Sequence, residues 1–187
     1  MSAAISDLAQ SALGDAARVV ERLDPTSFEA FARAIAGAKT IALHGLGREG
    51  LQMKGLAMRL FHLGLDAHVV GEMTTPPVGA GDLLLCSAGP GDFASIAALT
   101  KIAKDAGAKT AIVTAQPASY LAKNADHILH IPAQTMADDQ GAKTSVLPMG
   151  SLFELSQMVV FELLVLRLRE IKGETAGTMR ARHTNLE

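Results

Sequence analysis

Apolar and polar positions along this chain keep two rhythms. From residue 2 to about 23, Ile5, Leu8, Ala12, Ala16, Val19 and Leu23 recur at spacings of three and four, which is one face of an amphipathic helix. Asp24 and Pro25 end that pattern and open a second helix, the aspartate as its cap and the proline at its first position, with Phe28, Phe31 and Ile35 on the buried side. After these helices the rhythm shortens. Compact apolar runs at 40–43, 67–70, 83–86 and 109–113 read as buried strands, and 127–131 alternates as an edge strand. Helical patterns follow the first, third and fourth runs, at about 51 to 63, 92 to 106 and 117 to 123.

Strands alternating with helices predict an α/β fold in three layers, a five-stranded parallel sheet covered on both faces and joined by right-handed crossovers. A flavodoxin-like order, 2-1-3-4-5, places the topological switch between the first and third strands, where a ligand crevice is expected. The loops after Leu43 and Cys86 would both border it. Residues 133–148 are polar and aperiodic, a long loop of the kind that is often functional. From Ser151 to about Lys172 apolar residues nearly encircle a helix, which predicts burial and, in a chain this small, a subunit interface. Glu154 and Glu162 interrupt that surface, and carboxylates in such surroundings are paired or functional. The expected organisation is therefore one domain: N-terminal helices over 1–37, sheet core over 38–132, the long buried helix over 149–173 and a polar, irregular tail over 174–187.

Composition narrows the classes. The chain has 187 residues, 49% of them apolar but only 4% aromatic and none tryptophan, so the core must be built from Ala, Leu, Val, Ile and Met. A net charge of −2 without a run of Lys or Arg argues against nucleic acid and anionic membrane as partners. No segment reaches eighteen uninterrupted apolar residues, and the N-terminus has no leader pattern. Cys86 is alone, which excludes an internal disulfide and fits a reducing, cytoplasmic setting; within an apolar strand it reads as a core thiol. His127 and His130 are three apart in a strand and so on opposite faces, solvated edge residues that cannot share a metal.

Two glycine-rich turns carry the candidate chemistry. Leu83-Leu84-Leu85-Cys86 stops in Ser87-Ala88-Gly89-Pro90-Gly91-Asp92-Phe93, a strand feeding a loop and a helix N-terminus, where small residues admit a ligand and first-turn N–H groups favour an anion. Gly45-Leu46-Gly47-Arg48-Glu49-Gly50 fits the letters of a dinucleotide fingerprint, but the second strand ends in Gly71-Glu72 sooner than such a unit requires.

Several segments together carry a family likeness. Ala57 to Gly64, Val70-Gly71-Glu72, Thr75-Pro76-Pro77, Pro148-Met149-Gly150-Ser151-Leu152-Phe153-Glu154 and the terminal Arg182-His183-Thr184-Asn185-Leu186-Glu187 resemble the 6-phospho-3-hexuloisomerases of the sugar isomerase (SIS) family. The resemblance implies a single SIS domain, typically tetrameric, that interconverts a 3-hexulose 6-phosphate and fructose 6-phosphate without a metal or organic cofactor. It makes Glu154 the enediol base and His183 a catalytic residue that a C-terminal segment carries toward a neighbouring subunit. Moving a carbonyl between adjacent carbons needs such a base, to take a C–H proton and return it to the next carbon.

The departures concern the anion cradle. The family's loop reads Gly-Ser-Gly-Ser-Gly-Glu-Thr where this chain has Ser87 to Phe93, and its Gly-Ala-Gly-Arg-Ser-Gly is here Gly45 to Gly50, with Glu49 in place of the serine. Each hydroxyl lost to a dianion costs about 1.5 to 3 kcal/mol. Gly47, Arg48, Ser87, Gly89, Gly91 and Ser95 remain to hold a sugar or sugar phosphate, while Glu49 and Asp92 are expected to repel an anion. Two functions follow: an isomerase, on a sugar phosphate or a less anionic substrate, or a non-catalytic SIS module that binds a carbohydrate derivative.

Overall fold

The computed structural model of the protein describes residues 4–141 and 144–186. Helices α1 (Ile5–Val20) and α2 (Pro25–Gly37) come first, and Asp24 caps α2 by accepting from the N–H groups of Thr26 and Ser27. Then follow β1 (Thr40–Gly45), α3 (Gly47–His62), β2 (Asp66–Val69), β3 (Leu83–Ser87), α4 (Ala94–Asp105), β4 (Lys109–Thr114), α5 (Tyr120–Asn124), β5 (His127–His130), α6 (Ser151–Lys172) and α7 (Ala176–Ala181). The strands form a parallel sheet in the order β2-β1-β3-β4-β5, the expected one.

Central β3 is buried along its whole length, because helices cover both faces and leave no polar side. Ile41, Leu43, Leu83 and Leu85 pack with Ile35, Leu60, Phe153 and Leu164 from α2, α3 and α6. On the opposite face Ala42, Leu84, Cys86 and Ile112 pack with Ile96, Ala103 and Leu121 from α4 and α5. Burial pushes the Cys86 thiol up to about 12, so it is an inert core group.

Several boundaries and faces differ from expectation. Helix α3 begins at Gly47 rather than near 51: the glycines that suggest a loop allow a tight start, since a Cβ on Gly50 would lie 2.5 Å from the Gly45 carbonyl oxygen. Helix α4 begins at Ala94, and Asp92 stands outside it. On α1, Ala16 and Val19 are buried but Ile5 is 87% exposed, so the apolar stripe outruns the core of one chain; the expected start at residues 2 and 3 lies outside the described residues. Helix α6 likewise buries one side, through Leu152, Phe153, Val160, Leu164 and Leu168, while Met158 and Leu166 are exposed. β5 is at the sheet edge, but α2 packs on it, and desolvation pushes the His130 imidazole below its ordinary pKa. His130 is thus half-buried rather than solvated. The tail is ordered by α7, whose Thr175 forms a capping box with Thr178, and by Arg182, which donates to Glu174 and to the carbonyl of His62.

Candidate active site

β1 and β3 are paired through Gly45 and Ser87, so the loops after them lie side by side at the C-terminal edge of the sheet. Helices α3 and α6 both start there. α6 is launched by Met149, whose φ of 53° is unusual for a residue with a side chain, and by Gly150 as its N-cap. Gly89 is pressed between the two helix heads: a Cβ there would lie 2.7 Å from Phe153 Cε1 and 2.8 Å from Glu49 Oε1.

A hydrogen-bonded chain links these elements. Gln157 Nε2 donates to Ser87 Oγ at 2.7 Å, Ser87 Oγ donates to Glu49 Oε2 at 2.5 Å, and the Gly89 N–H donates to the same Glu49 oxygen at 2.9 Å. Burial raises the Glu49 carboxyl above its ordinary pKa, against the lowering by the Ser87 and Gly89 hydrogen bonds, and the negative charge of Glu154 adds to the rise. Arg48 Nε stands 3.1 Å from Glu154 Oε2, and Arg48 Nη1 donates to Ser151 Oγ. That ion pair is not an aligned hydrogen bond, and Glu154 Oε2, buried, has no hydrogen-bond partner; neither has Gln157 Oε1. The head of α6 therefore holds a carboxylate, 17% exposed, steadied by a guanidinium and with an acceptor oxygen open to a donor.

The structure brings Arg48, Glu49, Ser87, Gly89 and Glu154 into one cluster. Gly47, with φ of 54°, opens the first turn of α3 beside it. Gly91, with φ of 111°, closes the loop by donating its N–H to the Ala88 carbonyl. Asp92 does not face an incoming anion as expected. Its carboxylate accepts from the N–H groups of Tyr120 and Leu121 and caps α5, because that helix start has unpaired donors and lies across the loop. Ser95 is exposed in the first turn of α4. Gln157 escaped the sequence reading; the available signal was a second polar residue three positions after Glu154 on an apolar helix.

His183 stands apart from Glu154 within the chain. Its ring stacks on His62 at 5.3 Å, and both line a cavity of about 630 Å³ with Arg59, Arg169 and Arg180. Arg169 lies fifteen positions after Glu154 on α6, about 22 Å at 1.5 Å per residue. A second cavity of about 600 Å³, lined by Arg18, Arg22, His130 and Leu152 among others, opens beside the head of α6 but includes neither Glu49 nor Glu154. Among the described residues no group of three His, Cys, Asp or Glu side chains is placed to hold a metal ion.

Comparison with known proteins agrees with this architecture. The SIS domain family model matches residues 34–165. The chain is 39% identical to 3-hexulose-6-phosphate isomerase of Bacillus subtilis over 143 residues, 76% of this chain and 77% of that protein. It is 38% identical to the protein of the same name from Mycobacterium gastri over 173 residues, 92% and 86% of the two chains. A crystal structure from Methanococcus jannaschii, whose description infers a 3-hexulose-6-phosphate isomerase function, superposes with a TM-score of 0.80 at 25% identity over 97% of this chain and 98% of that one. The chain belongs to the SIS domain family and, within it, to the branch of the 3-hexulose-6-phosphate isomerases.

Proposed function

We propose that the protein is a ketose isomerase that moves a carbonyl between adjacent carbons of a hexulose skeleton through a cis-enediol, as the names of its relatives describe for a hexulose 6-phosphate. The observation that carries this is Glu154: a largely buried carboxylate at the head of α6, held by Arg48, with an oxygen free of hydrogen bonds. In the forward direction Glu154 takes the C–H proton beside the carbonyl and returns it to the former carbonyl carbon, while the hydroxyl proton of the carbon that becomes the new carbonyl passes to the old carbonyl oxygen, so the reaction balances without an external oxidant or reductant. Arg48 orients the carboxylate. A hydroxyl of the bound ketose donates to the open oxygen, and Glu49 with Ser87 and Gly89 shapes the far wall.

We also infer a homo-oligomer, with a tetramer as the assembly the family resemblance implies. Its support is the bare apolar surface of α3 and α6, Leu51, Met58, Phe61, Met158 and Leu166, and the uncovered start of α1. In such an assembly His183 serves the Glu154 of a neighbour, since its own is about two-thirds of a helix length away on α6. The buried thiol of Cys86 supports a reducing, cytoplasmic setting.

The test is carbonyl transposition followed by carbon NMR on D-fructose and D-fructose 6-phosphate, each labelled at C2. Appearance of the label in a carbinol carbon, lost by about 100-fold or more in Glu154→Gln, supports the reading. No transposition on either sugar overturns it.

A further inference from the structure

Three helices end around the cavity of about 630 Å³ that His62 and His183 line, and each brings an arginine from its last turn: Arg59 from α3, Arg169 from α6 and Arg180 from α7. His62 is a buried part of that wall, and no acidic side chain is among the described lining residues. Arg59 has one acidic neighbour, Glu162 Oε1 at 3.4 Å. Among the described residues no carboxylate stands within ion-pair distance of Arg169 or Arg180. Glu174, just before α7, gives both its oxygens to Arg182. A chain of net charge −2 thus gathers three guanidiniums on one space and leaves two of them without an acid.

A basic residue in a last turn ordinarily answers the helix dipole and the open carbonyls there. Here other groups take the carbonyls. At the end of α3 those of Arg59, Leu60 and Phe61 accept from the N–H groups of Leu63, Leu65 and Gly64, and that of His62 accepts from Arg182 Nη1. At the end of α6 those of Arg169 and Glu170 accept from the N–H groups of Glu174 and Gly173. Like charges gathered on one space repel, and an anion between them removes that cost. Phosphate suits the arrangement, because each guanidinium fork donates two parallel N–H bonds to its oxygens and a monoester has three oxygens to share among several forks. We propose that this cavity, at the opposite end of α6 from Glu154, is a binding site for the phosphate group of a small phosphorylated molecule. That group arrives either on a sugar phosphate shared with a neighbour's Glu154 or as a separate phosphate. The first source rests on the isomerase reading; the binding itself does not.

Calorimetric titration of inorganic phosphate and of D-fructose 6-phosphate into the full-length protein tests the site, at low salt so that screening does not mask it. The wild type binds inorganic phosphate, and Arg169→Gln and Arg180→Gln each weaken that binding by about tenfold or more. Lys54→Gln, which removes an exposed charge of α3 outside the cavity, leaves it within about twofold. Arg169→Lys, which keeps the charge and loses the fork, falls between. Should Arg169→Gln fail to fold by circular dichroism, the exposed Arg180 carries the test alone. A matching loss for fructose 6-phosphate supports the site with the sugar's phosphate as its occupant; a loss confined to inorganic phosphate supports it with a separate phosphate. No binding of millimolar phosphate by the wild type, or a loss in the arginine variants no greater than in Lys54→Gln, overturns the proposal. Either result is read without turnover, so it leaves the Glu154 transposition test to stand or fall by itself.

Discussion

Replacing Gly89 by alanine adds one methyl group at the point where the two helix heads meet. Its carbon would stand 2.7 Å and 2.8 Å from two carbons of the Phe153 ring and 2.8 Å from Glu49 Oε1, against about 3.5 to 4 Å for an ordinary contact. Phe153 is 1% exposed and cannot withdraw into solvent. Glu49 can retreat only by giving up the Ser87 and Gly89 hydrogen bonds. Overpacking of this size costs about 1 to 3 kcal/mol, and a lost hydrogen bond to a charged group about 1.5 to 3; because one movement relieves the other, a total of about 2 to 4 kcal/mol is expected. For a chain of this length that is a fall in Tm of roughly 4 to 16 °C. Gly55→Ala is the control: the position is inside α3 with nothing within 4 Å of the added carbon, and a gain of about 0.4 to 1 kcal/mol is expected. Urea unfolding of both variants beside the wild type reads the difference. Equal midpoints for Gly89→Ala and the wild type would show that the Gly89, Glu49 and Phe153 contact is not the tight junction described.

Asp92→Ala removes the acceptor of the Tyr120 and Leu121 N–H groups, leaving Ser119 as the N-cap of α5, and should cost about 1 kcal/mol of stability while leaving sugar binding unchanged; weakened binding without a stability loss would return Asp92 to the ligand site. Glu49 binds its proton more tightly folded than unfolded, because its folded pKa is raised above the ordinary 4.5. Its contribution is therefore most favourable below that value and is lost as pH rises through the folded pKa. Unfolding midpoints taken between about pH 4 and 8 should show the wild type losing stability relative to Glu49→Gln as pH rises, and a flat difference would contradict the buried placement.

Much of the fold was legible because the strands are short apolar runs set apart by glycine turns, and that spacing admits few topologies. That the loops after β1 and β3 are neighbours follows from the order alone. What periodicity cannot show is where side chains turn. Asp92 reads as a repelling wall of the crevice; the structure turns it to another element, α5, whose Tyr120 and Leu121 N–H groups lie 28 and 29 positions later in the chain. Glu49 reads as a repelling charge, yet burial beside Ser87 and Gly89 makes it part of the loop's own bonding. Helix α7 escaped because six residues are too few for an apolar period. Glu154 was found through the motif that surrounds it, and Arg48 as its ion partner only through the structure.

The central claim is that Glu154 moves a carbon-bound proton, and solvent deuterium tests it most directly. Proton NMR in D₂O, with D-fructose and D-fructose 6-phosphate each incubated with the protein, follows the C1 and C3 hydrogens that flank the carbonyl. The account predicts Glu154-dependent loss of the C3–H signal, since the 2,3-enediol forms by removing that proton, and a fall of about 100-fold or more in the exchange rate in Glu154→Gln. Exchange at C1 instead, or C3 exchange undiminished in Glu154→Gln, would contradict it.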